Sequence, residues 1–143
     1  MAEQPIEIWP QYLQNAQTIA GAFGASVPAL KGLSLHQLVL EDGGLAMSLD
    51  FGALPSGSPT EWPQRGHDSF ELRMRFSDVF DLSVRGTPNL MGRTLSLVLG
   101  PGEARLTSSS TDFSVSFKFD QATADLHPYN ARNALDSQER WYR

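Results

Sequence analysis

Between residues 69 and 85 the chain reads SFELRMRFSDVFDLSVR, and no other stretch constrains the fold as tightly. Phe70, Leu72, Met74 and Phe76 alternate with Glu71, Arg73 and Arg75. A strand points successive side chains to opposite faces, so one face carries four large apolar groups and the other three charges. Burying each apolar group is worth roughly 1.5–3 kcal/mol. A slip of one residue would expose the whole row, so the register of this strand is fixed. Ser77-Asp78 then turns the chain into a second run, with Val79, Leu82 and Val84 apolar and Asp81, Ser83 and Arg85 polar. Phe80 interrupts the alternation and predicts a bulge or bend. The remaining strands are expected to assemble on this segment.

Upstream, residues 8–23 carry Trp9, Tyr12, Leu13, Ala16, Ile19, Ala20 and Phe23 at spacings of three and four, which predicts one amphipathic helix. Pro10 suits its first turn and Gly24 its end. Residues 33–41 form a nearly continuous apolar run (Leu35, Leu38, Val39, Leu40), the pattern of a strand buried on both faces. Asp42-Gly43-Gly44 predicts a hairpin, and Leu45, Met47, Leu49 and Phe51 line one side of the return strand. Residues 52–66 are rich in Pro, Gly and Ser, with Pro55, Pro59 and Pro63 precluding a central strand. This is a long loop with one large apolar residue, Trp62, which either folds back to pin it or is presented to a partner.

Downstream, residues 86–92 read as a turn region, and 93–99 as a strand with Leu95, Leu97 and Leu99 on one face. Gly100-Pro101-Gly102 reverses the chain into a weaker strand at 103–110. Phe113, Val115, Phe117 and Phe119 mark a strong strand, and Ala122, Ala124 and Leu126 a short last one ended by His127-Pro128. No helical crossover separates the strands. The expected class is α+β: an N-terminal helix on a mostly antiparallel sheet of about seven short strands, a sandwich or a partly open barrel. One domain is expected over residues 1–143, with a core at about 8–128 and a C-terminal extension at 129–143.

The chain has no cysteine, which excludes disulfides and thiolate metal sites and suits a reducing cytoplasm. Its start lacks the basic and apolar regions of a secretory leader, and no apolar run is long enough for a membrane helix. The formal net charge of −5 disfavours nucleic acid and anionic membrane as partners.

The usual catalytic constellations are absent. There is no Gly-x-Ser-x-Gly elbow and no phosphate-binding Gly-rich loop. His36, His67 and His127 are scattered, without metal-ligand spacing. His36 reads as a hydrogen-bonded structural histidine. The pair His67-Asp68 points apart on a strand and cannot act together. Asp78 and Asp81 flank the turn after Phe76, and Glu41-Asp42 flank the first hairpin; turn chemistry accounts for both pairs. Arg73, Arg75 and Arg85 are interrupted by Glu71 and Asp81, so cross-strand ion pairing explains them better than nucleic-acid binding. No catalytic residue, metal ligand or cofactor is assigned.

The order of these pieces resembles the immunity protein 50 family of bacterial polymorphic toxin systems. The resemblance runs from Trp9 and the helix ending at Phe23-Gly24, through Pro28, Leu30 and Leu35-His36, to the hairpin. It continues with Leu54-Pro55, Pro59 and Trp62, then Phe70–Phe76, Asp78-Val79, Asp81-Leu82, Gly86 and the late Phe-rich strand, covering residues 9–126. Thr87-Pro88 departs from the pattern, where an aromatic residue is expected after Gly86. The resemblance implies a cytoplasmic, non-enzymatic protein that binds and neutralises a cognate toxin domain. The acidic balance suits a toxin with a basic groove. Glu61, Trp62, Asp78 and Asp81 are the candidate partner contacts, and a monomer is expected. Two alternatives stay open: a small enzyme with a dispersed His/carboxylate site, and a structural or oligomeric adaptor.

Overall fold

The computed structural model describes residues 8–87 and 93–131. Among these residues, eight strands make two four-stranded antiparallel sheets. They are β1 (Ser34–Glu41), β2 (Gly44–Asp50), β3 (Ser69–Ser77), β4 (Phe80–Gly86), β5 (Leu95–Gly100), β6 (Glu103–Ser108), β7 (Phe113–Lys118) and β8 (Gln121–Tyr129). The first sheet runs β1-β2-β3-β8 and the second β4-β7-β6-β5. The helical elements are a 3-10 turn at Trp9–Tyr12, α1 (Ala16–Phe23) and the single turn α2 (Glu61–Gln64). The molecule is thus sheet-dominated. Among the described residues no helix is long and apolar enough to cross a membrane.

The alternation at Phe70–Phe76 sets this architecture. Leu72, Met74 and Phe76 of β3 stand opposite Leu49, Met47 and Leu45 of β2 on one side and Leu126, Ala124 and Ala122 of β8 on the other. Their inner faces pack on Leu106, Val115 and Phe117 of the second sheet, forming one core. Phe76 meets Phe117 and Phe119 edge-on, with ring centroids 4.8 and 5.0 Å apart. The pair β3/β8 feeds directly into the pair β4/β7, so the chain changes sheets twice at one corner. The irregularity predicted at Phe80 lies there, as a register shift between Phe80 and Ser83. β1 runs past the ends of the second sheet. Leu33 exchanges both backbone hydrogen bonds with Leu95, while Leu35–Leu38 share a groove with Val84, Gly86 and Phe113.

Three expectations are corrected. The predicted helix over 8–23 is broken at Leu13–Asn15, where Leu13 is extended and Gln14 and Asn15 form a turn. Gln14 donates its N–H to the Ala122 carbonyl, and the Asn15 side chain binds both the Ala124 N–H and its carbonyl. The segment therefore lies along the edge of β8, and these bonds outweigh helix continuity. Second, β1 is not buried on both faces: it is an edge strand, and Leu40 is 63% exposed. Third, His127-Pro128 does not end the last strand, because β8 continues to Tyr129. An edge position tolerates proline, whose missing N–H would break a central ladder. Tyr129 also removes the start of the expected extension. Asn130 and Ala131 are tied to Gly66 and Asp68. The rest of that extension, 132–143, and most of the turn expected at 86–92 lie outside the described residues.

Candidate functional site

Two polar constellations stand out, one on a sheet face and one at a corner. On the outer face of the first sheet, Asp50 and Glu71 are cross-strand neighbours on β2 and β3, and His127 stands opposite Glu71 on β8. A register shift between Leu35 and Gln37 leaves His36 as the extra residue of β1. That bulge lets its ring reach two carboxylates: Nδ1 lies 3.1 Å from Glu71 Oε2 and Nε2 3.3 Å from Asp50 Oδ2. Tyr129 donates its hydroxyl to Asp50 Oδ1 at 2.8 Å, and Arg73 Nε donates to Glu71 Oε1 at 2.9 Å.

Asp50 and Glu71 are buried, yet every one of these contacts compensates a carboxylate. Burial pushes the Glu71 carboxyl up, but the hydrogen bonds from Arg73 and His36 outweigh it and hold Glu71 below its ordinary value. Burial, aided by the Arg73 charge, lowers His127. Burial and the bond to Asp50 raise the Tyr129 phenol. Both ring nitrogens of His36 thus face a carboxylate oxygen. The His/carboxylate alternative needed a deep pocket uniting a histidine with an acid. The groove that His36 does line, about 290 Å³, is otherwise bounded by Leu35, Gln37, Leu38, Val84, Gly86 and Phe113. Among the described residues no three His, Asp or Glu side chains converge to hold a metal ion. The constellation acts as a clamp across all four strands of the sheet.

The second constellation is an acidic corner where four turns meet. In the antiparallel order, the β1–β2 and β3–β4 turns and the start of β8 share one end of the first sheet. Val79 donates its N–H to the Gly43 carbonyl, Asp120 to Ser77, and Phe119 to Gly102 of the β5–β6 turn. In or beside these turns stand Glu41, Asp42, Asp78, Asp81, Glu103 and Asp120, all exposed. The cations among them are Arg75, 3.6 Å from Glu41, Lys118, 3.6 Å from Asp81, and Arg105. Open grooves of about 390 and 430 Å³ flank the corner. Asp78 (φ 51°) and Asp81 (φ 53°) hold the left-handed backbone on which the bend depends. Asp is among the few non-glycine residues that accept this conformation.

The four sequence-derived contact candidates do not form one patch. Asp78 and Asp81 share the corner. Glu61 lies on α2, exposed and 3.9 Å from Arg65. Trp62 is buried, stacked on Phe70 at 5.4 Å and edge-on to Phe23 at 5.8 Å, so it folds back and pins the loop. α2 therefore sits at the start of β3 and Asp78 beyond its end, separated by a nine-residue strand that spans about 26 Å. Sequence reading missed Asp50, Glu71 and Tyr129 as a unit, because no spacing reveals which outward residues meet across three strands. It also missed the corner, although Asp42 and Asp78 each sat at a predicted turn. Compared with known protein families, curated proteins and solved structures, the chain matches none.

Proposed function

We propose that this protein is a non-catalytic, cytoplasmic immunity protein that neutralises a cognate toxin domain by binding it. The observation that carries this reading is the acidic corner, in which backbone hydrogen bonds tie four turns together and bring six exposed acidic residues to one end of the first sheet. A partner with a basic groove would meet a preformed surface, losing little conformational entropy and gaining a faster, steered encounter. Asp78 and Asp81 keep their place as contact residues. Trp62 is packed in the core at the opposite end of β3, and Glu61 stands apart from this surface as well.

The test is co-expression with the product of the adjacent toxin gene, followed by affinity measurement on the purified pair. Asp42→Asn, Asp78→Asn and Asp120→Asn combined keep the turn geometry but remove three charges. The expected result is loss of growth rescue, with at least tenfold weaker binding and a flatter salt dependence. Unchanged affinity with the triple variant would end the assignment of the corner. Failure of the wild-type protein to bind any toxin domain would end the immunity reading.

A further inference from the structure

The second sheet buries Ala104, Leu106, Val115 and Phe117, so alternation turns the residues between them outward. On that outer face Ser116 of β7 stands between Arg105 of β6 and Ser83 of β4, and Ser114 between Thr107 and Arg85. The register thus makes a block of six positions. Two arginines hold opposite corners, and the other four positions all carry hydroxyls. The bulge of β4 ends at Ser83, so Ser83 and Arg85 both belong to the regular part of the ladder. The four hydroxyl residues are half-buried and the two arginines exposed. The cross-strand ion pairing expected for Arg85 is not found. Neither Arg85 nor Arg105 makes an ion pair among the described residues, whereas Arg65, Arg73, Arg75 and Lys118 each do.

We propose that this block binds the phosphoryl group of a small, hydroxylated phosphate monoester. Arg85 and Arg105 are two strand spacings and two residues apart, about 12 Å between Cα atoms. An oxyanion midway, over Ser114 and Ser116, is within reach of both long side chains. A phosphate monoester presents three terminal oxygens. Planar guanidiniums donate to such oxygens in pairs, and the serine hydroxyls supply further donors. A carboxylate, with two oxygens, would leave part of this donor set unused. The body of the ligand has a place beside the block. The groove of about 430 Å³ runs from Arg105 and Ser116 past Val98 and Gly100 to Glu103. Its volume is that of a small-molecule site. The Glu103 carboxylate can accept hydrogen bonds from ligand hydroxyls and repels a second phosphoryl group. The adjacent acidic corner likewise repels a long polyanion, and the outward residues of β5, β6 and β7 include no aromatic ring on which a base could stack. These features favour a small monoester over nucleic acid. The site uses none of the carboxylates assigned to toxin binding except at the groove's rim, and it does not depend on the immunity reading.

An NMR titration of the full chain with glucose 6-phosphate tests the site. The expected result is saturable amide shifts centred on Thr107, Ser114 and Ser116, half-complete below about 1 mM. Arg85→Gln and Arg105→Gln alter exposed side chains, so each should keep the wild-type thermal midpoint while weakening binding at least tenfold. Glucose, which lacks the charge, and inorganic phosphate, which lacks the body, should each bind at least tenfold more weakly than the ester. The combined Asp42→Asn, Asp78→Asn and Asp120→Asn variant should bind the ester no less tightly than wild type, which separates this site from the toxin surface. No saturable shift up to about 20 mM ester, or binding that survives both arginine substitutions, overturns the proposal. Equal affinity for inorganic phosphate overturns the ester, and tighter binding of an oligothymidylate overturns the choice of a small ligand.

Discussion

Asn15 holds Ala124 across 109 residues of sequence, accepting its N–H at 3.0 Å and donating to its carbonyl at 2.7 Å. The side-chain amide thereby does for the edge of β8 what a neighbouring strand's backbone would do. Each such bond contributes about 0.5–1.5 kcal/mol net. Asn15→Ala is therefore expected to lower stability by about 1–3 kcal/mol in urea unfolding. Asn15→Asp can still accept from the Ala124 N–H but sets an anion against the carbonyl, so it should do no better than Ala. An Asp variant as stable as wild type would contradict this role.

That residue also shows where the sequence stopped being readable. The alternation at Phe70–Phe76 and Phe113–Phe119 reported the two inner faces, because burial of a period-two row has one solution. Asp42-Gly43 reported its hairpin for the same local reason. The N-terminal stripe was right about burial of Trp9, Leu13, Ile19 and Phe23, yet wrong about one continuous helix. The break is caused by partners on β8, which no local pattern contains. The polar clamp was hidden likewise: His36 was legible as a bonded histidine, but its carboxylates come from β2 and β3 through a bulge. The corner needed the strand order, which fixes which turns share an end.

The clamp predicts an acid-sensitive fold. Glu71 titrates below its ordinary value in the folded protein, so as pH falls the unfolded chain takes up that proton first and gains on the folded state. His127 is lowered too, and its contribution has the same sign, beginning nearer pH 6.5. Tyr129 is raised, so its contribution is full below about pH 10 and lost above it. The thermal midpoint should fall from about pH 7 to below pH 4, and again above pH 10. Glu71→Gln should lower the midpoint at neutral pH and flatten the profile below about pH 5. Tyr129→Phe should flatten only the alkaline limb. A Glu71→Gln profile parallel to wild type in acid would remove Glu71 as the cause.

Two glycines should respond in opposite directions to alanine. A Cβ on Gly86 would lie 1.8 Å from the Asp112 carbonyl oxygen, and its φ of +82° is unfavourable for any side chain. Gly86 ends β4 directly opposite Phe113, so neither strand can retreat without breaking their ladder. Gly86→Ala should cost at least about 3 kcal/mol, or prevent folding. Gly21 lies in α1 and is exposed, and a Cβ added there would meet nothing within 4 Å. Replacing a helical glycine by alanine gains about 0.8–1 kcal/mol, so Gly21→Ala should raise the midpoint. Equal effects from the two variants would mean that the close approach at Gly86 is not real.

Trp62 and Glu61 are neighbours in sequence, and their substitutions should separate folding from recognition. The indole stacks on Phe70 and meets Phe23, which itself sits 5.9 Å from Phe70, so these three rings fix the long loop and α1 to the start of β3. Trp62→Ala removes the middle of that cluster and should cost about 3–5 kcal/mol. Trp62→Phe keeps an aromatic ring and should cost less. Glu61 is exposed and lies 3.9 Å from Arg65, itself exposed, so Glu61→Gln should change stability by less than about 0.5 kcal/mol. Because the acidic corner lies a full strand length away, the proposed partner binding should be the same for Trp62→Phe as for wild type at any temperature where both are folded. A Trp62→Phe protein of native stability that binds at least tenfold more weakly would move the contact surface from the corner to this loop.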